Sequence, residues 1–138
     1  MYIFLDCDGV INQLQPNYYI DENCIKVLSE ITKAFDGKVV LTSTWRLGYL
    51  HDYKSCTPQI QRLLDMFNKY NIPCIGRTKK VNDDRSAEIQ LYLDEHDSDD
   101  YIILDDDASL FTDKTRLYKV NARTGLVKVD IKQIRRMF

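Results

Sequence analysis

The sequence has no basic excess: 19 Lys and Arg against 21 Asp and Glu leave a formal net charge of −2. A protein that coats nucleic acid without regard to sequence needs such an excess to displace counterions, so that class is excluded, although a local basic patch is not. No apolar run approaches the length of a bilayer span, and no basic stretch with an apolar core and cleavage site opens the chain. The four cysteines, Cys7, Cys24, Cys56 and Cys74, form no C-x-x-C pair, which argues against zinc. Read as reduced thiols, they lead to the expectation of a cytoplasmic protein. Repeats, low-complexity tracts and linkers are missing too. What remains is a chain of 138 residues, 44% hydrophobic and 29% charged, expected to form one compact domain over residues 1–138.

The chain is organised around its beginning. Ile3-Phe4-Leu5 runs into Asp6-Cys7-Asp8-Gly9-Val10, with Asn12 shortly after. The apolar run reads as a buried strand and Asp-Cys-Asp-Gly as the turn that ends it. Such a motif can be a plain turn or can open a calcium loop. The calcium loop fits poorly, because the motif follows a buried strand and no Glu stands at the twelfth position. In open parallel sheets ligands bind beyond the carboxyl ends of the strands, where Asp6 and Asp8 would stand. A carboxylate there can attack phosphorus once a cation suppresses its repulsion from phosphate, and a second acid can protonate the leaving oxygen.

Further along, Asp21 reads as the cap of a helix running to Gly37, with Ile25, Leu28, Ile31, Thr32 and Phe35 at helical spacing. Residues 38–42 form a second buried strand, ending in Thr42-Ser43-Thr44-Trp45-Arg46. A loop over 47–56 leads to a helix opened by Thr57-Pro58, with Pro at its first position. Ile72–Ile75 reads as a short strand, 76–83 as a loop and 84–96 as a helix. Tyr101–Leu104 is another apolar strand, running into Asp105-Asp106-Asp107. Leu117–Val120 is a last strand, 122–128 a turn built on Gly125, and 130–138 a terminal helix. Alternating strands and helices predict a mostly parallel sheet with helices on both faces, a three-layer α/β/α sandwich.

Three strands thus end in polar residues: Asp6/Asp8, Thr42/Ser43 and Asp105/Asp106/Asp107. Gathered acids repel without a cation, and hard oxygen ligands of this kind suit Mg²⁺. Thr42 or Ser43 offers a hydroxyl for a phosphate oxygen. Arg85, at the start of the helix before the Asp105 strand, is placed to balance charge on a transferring group, with Lys79 and Lys80 as alternatives. Each has an ordinary explanation as well: a threonine can bond within its own strand end, and paired lysines can belong to a solvated loop.

In combination these elements resemble the haloacid dehalogenase (HAD) superfamily of phosphotransferases. The matching elements are Phe4-Leu5-Asp6-Cys7-Asp8-Gly9-Val10, Val39-Val40-Leu41-Thr42-Ser43, Arg85 opening a helix, and Ile102-Ile103-Leu104-Asp105-Asp106, in the family's order. The Thr-Trp-Arg continuation and the acidic triplet look closest to small members without a cap, some of them fused to RNA-repair enzymes. The resemblance implies a Rossmann-like fold and an Asp6 nucleophile that forms an aspartyl-phosphate. It implies Asp8 as general acid and then base, and Thr42 on the phosphoryl oxygens. Mg²⁺ would sit on Asp6, the Asp8 main-chain carbonyl and one of Asp105 and Asp106, with Asp106 favoured. The family usually shows Lys where Arg85 stands, so Lys80 keeps a claim to that position.

About thirty residues separate Gly9 from Thr42, and one helix with its loops consumes them, so no cap domain is expected. An uncapped site favours a substrate whose bulk lies outside the enzyme, such as a nucleic-acid end or a nucleotide. Trp45, Arg46 and Tyr49 are candidates to stack a base and hold a second phosphate, although a Trp in such a loop also serves packing. The alternatives are a phosphoprotein or small-metabolite phosphatase, and a non-catalytic receiver-type module. A receiver carries its acidic pair on the first strand and its phosphoacceptor on a middle one, an order that differs from this chain's.

Overall fold

The computed structural model describes residues 1–14 and 19–137. Among these residues five strands form one sheet: β1 (Tyr2–Leu5), β2 (Lys38–Leu41), β3 (Cys74–Arg77), β4 (Tyr101–Asp105) and β5 (Leu117–Lys119). Their order is β3-β2-β1-β4-β5, and every pairing is parallel. Among the described residues four helices accompany the sheet: α1 (Glu22–Phe35), α2 (Pro58–Lys69), α3 (Arg85–Glu95) and α4 (Lys128–Arg135).

Strand alternation sorts the core into two layers. Ile3, Leu5, Val39, Leu41, Ile102 and Leu104 pack on one face against Ile25, Leu28 and Ile31 of α1, Ile60, Leu63 and Phe67 of α2 and Ile134 of α4. Phe4, Val40 and Ile103 point to the other face, where Ile89, Tyr92 and Leu93 of α3 meet them with Phe111 and Leu117. The expected three-layer α/β/α arrangement is thus present, with three helices on one face and one on the other.

The helix starts follow their capping residues. Asp21 accepts from Asn23 N at 2.9 Å to open α1, Thr57 caps α2 ahead of Pro58, and Asp84 accepts from Ala87 N at 3.1 Å to open α3. The cap on α3 fixes Arg85 as its first residue.

Three expectations move. The strand expected at Ile72–Ile75 is β3 at Cys74–Arg77. Proline has no N–H to give the ladder, so pairing begins with the Pro73 carbonyl accepting from Val39 N and runs on until Thr78 N reaches Leu41 O. The terminal helix starts at Lys128, before the expected Asp130, because the Asp130 side chain turns back to accept from Val127 N at 2.7 Å and so lies in the first turn. The expected 47–56 loop contains the end of one 3₁₀ segment, Thr44–Gly48, and all of another, Tyr53–Ser55. Residues 13–19, polar and containing Pro16, read from the sequence as a loop and lie partly outside the described residues. No helix among the described residues is long and apolar enough to cross a membrane.

Candidate active site

Register brings the site together. Leu5 pairs with Leu41 on one side and Leu104 on the other, so the next residues of the three central strands, Asp6, Thr42 and Asp105, stand side by side at the carboxyl edge. Asp6 N donates to Leu104 O and Thr42 N to Leu5 O, both at 3.0 Å. Cys7 turns into the core and is wholly buried, which leaves Asp6 and Asp8 on the site side of the turn.

Asp6, Asp105 and Asp106 each place a carboxylate oxygen within 4.8 Å of the others. Arg85 Nη1 lies 2.8 Å from Asp105 Oδ2 and 3.3 Å from Asp6 Oδ1. Burial, then the like charge of Asp105, push the Asp6 carboxyl well above the ordinary range, while Arg85 pulls the other way. Burial also raises Asp105, opposed by a hydrogen bond from Asp107 N and by Arg85. Both Asp105 oxygens are therefore engaged, Oδ1 with Asp107 N at 3.0 Å and Oδ2 with Arg85. Asp106 is half-exposed and faces Asp6 and the Gly9 turn.

Gly9 is required twice over at that turn. Its φ is +83°, and a Cβ there would lie 2.5 Å from Asp106 Oδ2. Asn12, fully buried, ties the turn down: its Oδ1 accepts from Gly9 N at 2.8 Å, and its Nδ2 donates to Asp8 Oδ1 at 3.2 Å and Tyr19 O at 2.7 Å. Asp8 Oδ2 accepts from the Trp45 indole N–H at 3.1 Å. The Asp8 carboxyl is held by these two donors, outside the cluster formed by Asp6, Asp105 and Asp106.

Of the two candidate hydroxyls, that of Ser43 is already used, accepting from Trp45 N at 3.1 Å as the cap of the 3₁₀ segment. The Thr42 hydroxyl is completely buried beside Asp6 and has no hydrogen-bond partner among the described residues. A buried polar atom without a partner is costly, and a phosphoryl oxygen would satisfy this one.

Other expected ligands stand elsewhere. Trp45 is only 4% exposed, so it presents no stacking face for a base and instead supports Asp8. Arg46 is buried as well: it donates to Thr42 O and Ser43 O at 3.0 and 3.1 Å and pairs with Glu88 at 2.8 Å. It braces the end of β2 against α3, the helix that carries Arg85, and holds no second phosphate in this arrangement. Tyr49 packs, half-buried, against the main core. Lys80 pairs with Asp83 at 3.3 Å on the surface, while Arg85 alone of the two cations reaches the acids.

The roles of Asn12 and Glu88 were not read from the sequence. Glu88 could have been found: it shares the buried stripe of α3 with Ile89 and Tyr92, and an acid in that position asks for a buried cation.

The set can do phosphoryl chemistry. It offers a buried carboxylate among acids that a cation would balance, a second carboxyl held apart, a free hydroxyl and a guanidinium. No curated protein and no solved structure matches the chain. The family described as "HAD domain in Swiss Army Knife RNA repair proteins" matches residues 2–131. The chain belongs to that family of HAD domains.

Proposed function

We propose that this chain is a Mg²⁺-dependent phosphomonoesterase working through an aspartyl-phosphate on Asp6, with a nucleic-acid end or a nucleotide as substrate. One observation carries the reading: Asp6 converges with Asp105 and Asp106 within 4.8 Å, while Asp8 is held away from that cluster by Trp45 and Asn12. Two acids two residues apart in the chain thus have the separate surroundings that a nucleophile and a proton carrier need.

The donor set fits the cation. Three carboxylates face one guanidinium, leaving negative charge uncompensated in a largely buried place, and all the donors are hard oxygens. Asp6, Asp106 and the Asp8 main-chain carbonyl would hold the ion, with Asp105 oriented behind them by Arg85 and Asp107 N. Bound there, the ion relieves repulsion between the Asp6 carboxylate and the phosphate and balances charge on the transferring group.

In the first half-reaction an Asp6 oxygen forms a bond to phosphorus as the ester P–O bond breaks, and Asp8 gives its proton to the departing oxygen. In the second, Asp8 takes a proton from water as the water oxygen bonds to phosphorus. The Asp6–phosphorus bond breaks, releasing inorganic phosphate. The Thr42 hydroxyl and Arg85 hold the phosphoryl oxygens throughout. Between β1 and β2 the described residues form α1 alone, which favours substrates whose bulk stays outside the site.

The test is phosphate release, with Mg²⁺ or with EDTA, from a 3′-phosphorylated oligonucleotide, a 5′-phosphorylated one, free nucleotides, a phosphopeptide and an aryl phosphate. Mg²⁺-dependent release concentrated on nucleotides or one oligonucleotide end supports the reading. Release confined to the phosphopeptide overturns its substrate class, and no release from any of them overturns the activity.

A further inference from the structure

Beside the acidic cluster, at the carboxyl end of β5, lies a cleft of about 540 Å³ lined by Asp106, Lys119, Val120, Asn121, Ala122 and Arg123. That volume is in the ~300–1,000 Å³ range of clefts that take small ligands or parts of larger ones. We propose that this cleft holds the internal phosphodiesters of a single-stranded polynucleotide whose terminal phosphate reaches Asp6, with Lys119 and Arg123 as the phosphate contacts. The inference rests on the reading of the site as one for nucleic-acid ends and adds the path by which the strand leaves it.

The cleft and the site are continuous. Asp106 lines the first and belongs to the second. Lys119 is the direct register partner of Asp105 across β4 and β5, and Val120 N donates to Asp105 O at 2.9 Å. Paired residues of neighbouring strands project to the same face, so the Lys119 cation stands on the side of the sheet that carries the Asp105 carboxylate.

Charge gives the direction. On the β3 and α3 side of the site Lys79 is neutralised by Glu95 at 3.0 Å, Lys80 by Asp83 at 3.3 Å and Arg46 by Glu88 at 2.8 Å, while Arg77 of β3 is turned to the Arg46 carbonyl at 2.8 Å. Lys119 and Arg123 are both exposed, and neither forms an ion pair among the described residues. A chain of phosphates leaving Asp6 therefore meets two exposed, unpaired cations over β5, whereas over β3 and α3 the cations are ion-paired or, in Arg77, held by a backbone carbonyl. In a protein of net charge −2 this local pair is what a polyanion would find.

The wall is also built in advance. Asn121 Oδ1 accepts from Arg123 N at 3.0 Å, and Gly125 takes φ +64°, where a Cβ would lie 2.7 Å from Cys24 Sγ and 2.9 Å from Asn12 O. Leu14 N donates to Ala122 O at 2.9 Å and Leu126 N to Val10 O at 2.8 Å, so the turn bearing Arg123 is bonded to the loop that follows Asp8. Cleft and nucleophile turn are one assembly, and little ordering is needed for a strand to bind across both.

The experiment measures binding of a fluorescent, end-phosphorylated oligonucleotide to the Asp6→Asn protein, which removes the proposed nucleophile so that binding is read without turnover. The salt dependence is recorded before and after adding Lys119→Ala and Arg123→Ala. Loss of both contacts is expected to weaken binding tenfold or more and to flatten the slope of log K against log salt by about 1.4. The control pair Lys33→Ala and Lys38→Ala removes equal charge at the opposite edge of the sheet and is expected to change binding less than twofold. An unchanged slope, an affinity within twofold of the parent, or an equal loss with the control pair overturns the proposal, as does an equal loss for a phosphopeptide. Aryl-phosphate turnover by the unsubstituted protein, read in parallel, judges the phosphomonoesterase reading separately, since the binding arm needs no catalysis.

Discussion

The indole N–H of Trp45 donates to Oδ2 of Asp8 across 3.1 Å, joining residues 37 positions apart in sequence. A buried ring thus fixes the side chain proposed as the proton carrier. Trp45→Phe keeps most of the ring and removes the donor. A hydrogen bond to a charged group contributes about 1.5–3 kcal/mol, so kcat/KM is expected to fall about 10- to 100-fold. The loss should be alike for an aryl phosphate and a nucleotide; a loss confined to the nucleotide would instead make Trp45 a stacking surface.

Gly9→Ala introduces a Cβ against Asp106 in a backbone region that costs a side-chain-bearing residue about 1–2 kcal/mol. Asp106 has to move, so both thermal stability and the stabilisation by Mg²⁺ are expected to drop. A variant that melts lower yet keeps the full Mg²⁺ shift would place the cation away from Asp106.

The Arg46–Glu88 pair holds the end of β2 against α3 with both partners buried. Removing one leaves an uncompensated buried charge, and Arg46→Met or Glu88→Leu alone is expected to cost about 3–5 kcal/mol by chemical unfolding. The double replacement should cost less than the two single losses summed. Strict additivity would show that the pair is not coupled.

Asp6 and Asp105 both titrate above the ordinary carboxylate range, chiefly through burial. Between the unfolded and folded pKa the folded state binds more protons, so stability falls as pH rises through that window. Glu22, Asp107 and Asp113 are shifted the other way by hydrogen-bond partners, and what they contribute is lost only as pH falls through their lowered values. The metal-free protein is therefore expected to be most stable at mildly acidic pH. The proposed Mg²⁺ would compete with protons for the same oxygens, so its thermal shift is expected to grow with pH. A shift that is absent, or constant across the series, would contradict the assignment of the cation to these acids.

Much of this was legible in the sequence because strand ends are local signals. Ile3-Phe4-Leu5 and Tyr101–Leu104 are continuous apolar runs that stop at acids, and parallel topology carries those ends to one edge. Capping chemistry likewise announced α1 and α2. What could not be read was which way a side chain turns once the ends meet. Trp45 and Arg46 look from their position like substrate contacts, yet the capped 3₁₀ turn at Ser43 points both inward, a decision made by Asp8 and Glu88 far along the chain. Lys80 lost to Arg85 for the same reason: the Asp84 cap sets the first residue of α3 over the acids.

The central claim is that Asp6 carries the phosphoryl group between two half-reactions. The Asp8→Asn variant tests it most directly when given an aryl phosphate, whose leaving group needs no proton, in the presence of Mg²⁺. The first half-reaction then proceeds while water attack lacks its base, so acid-quenched protein should show one phosphoryl group by mass spectrometry, on the peptide containing Asp6. Phosphate release at the unsubstituted rate with no labelled peptide, or a label on any other residue, would contradict the account.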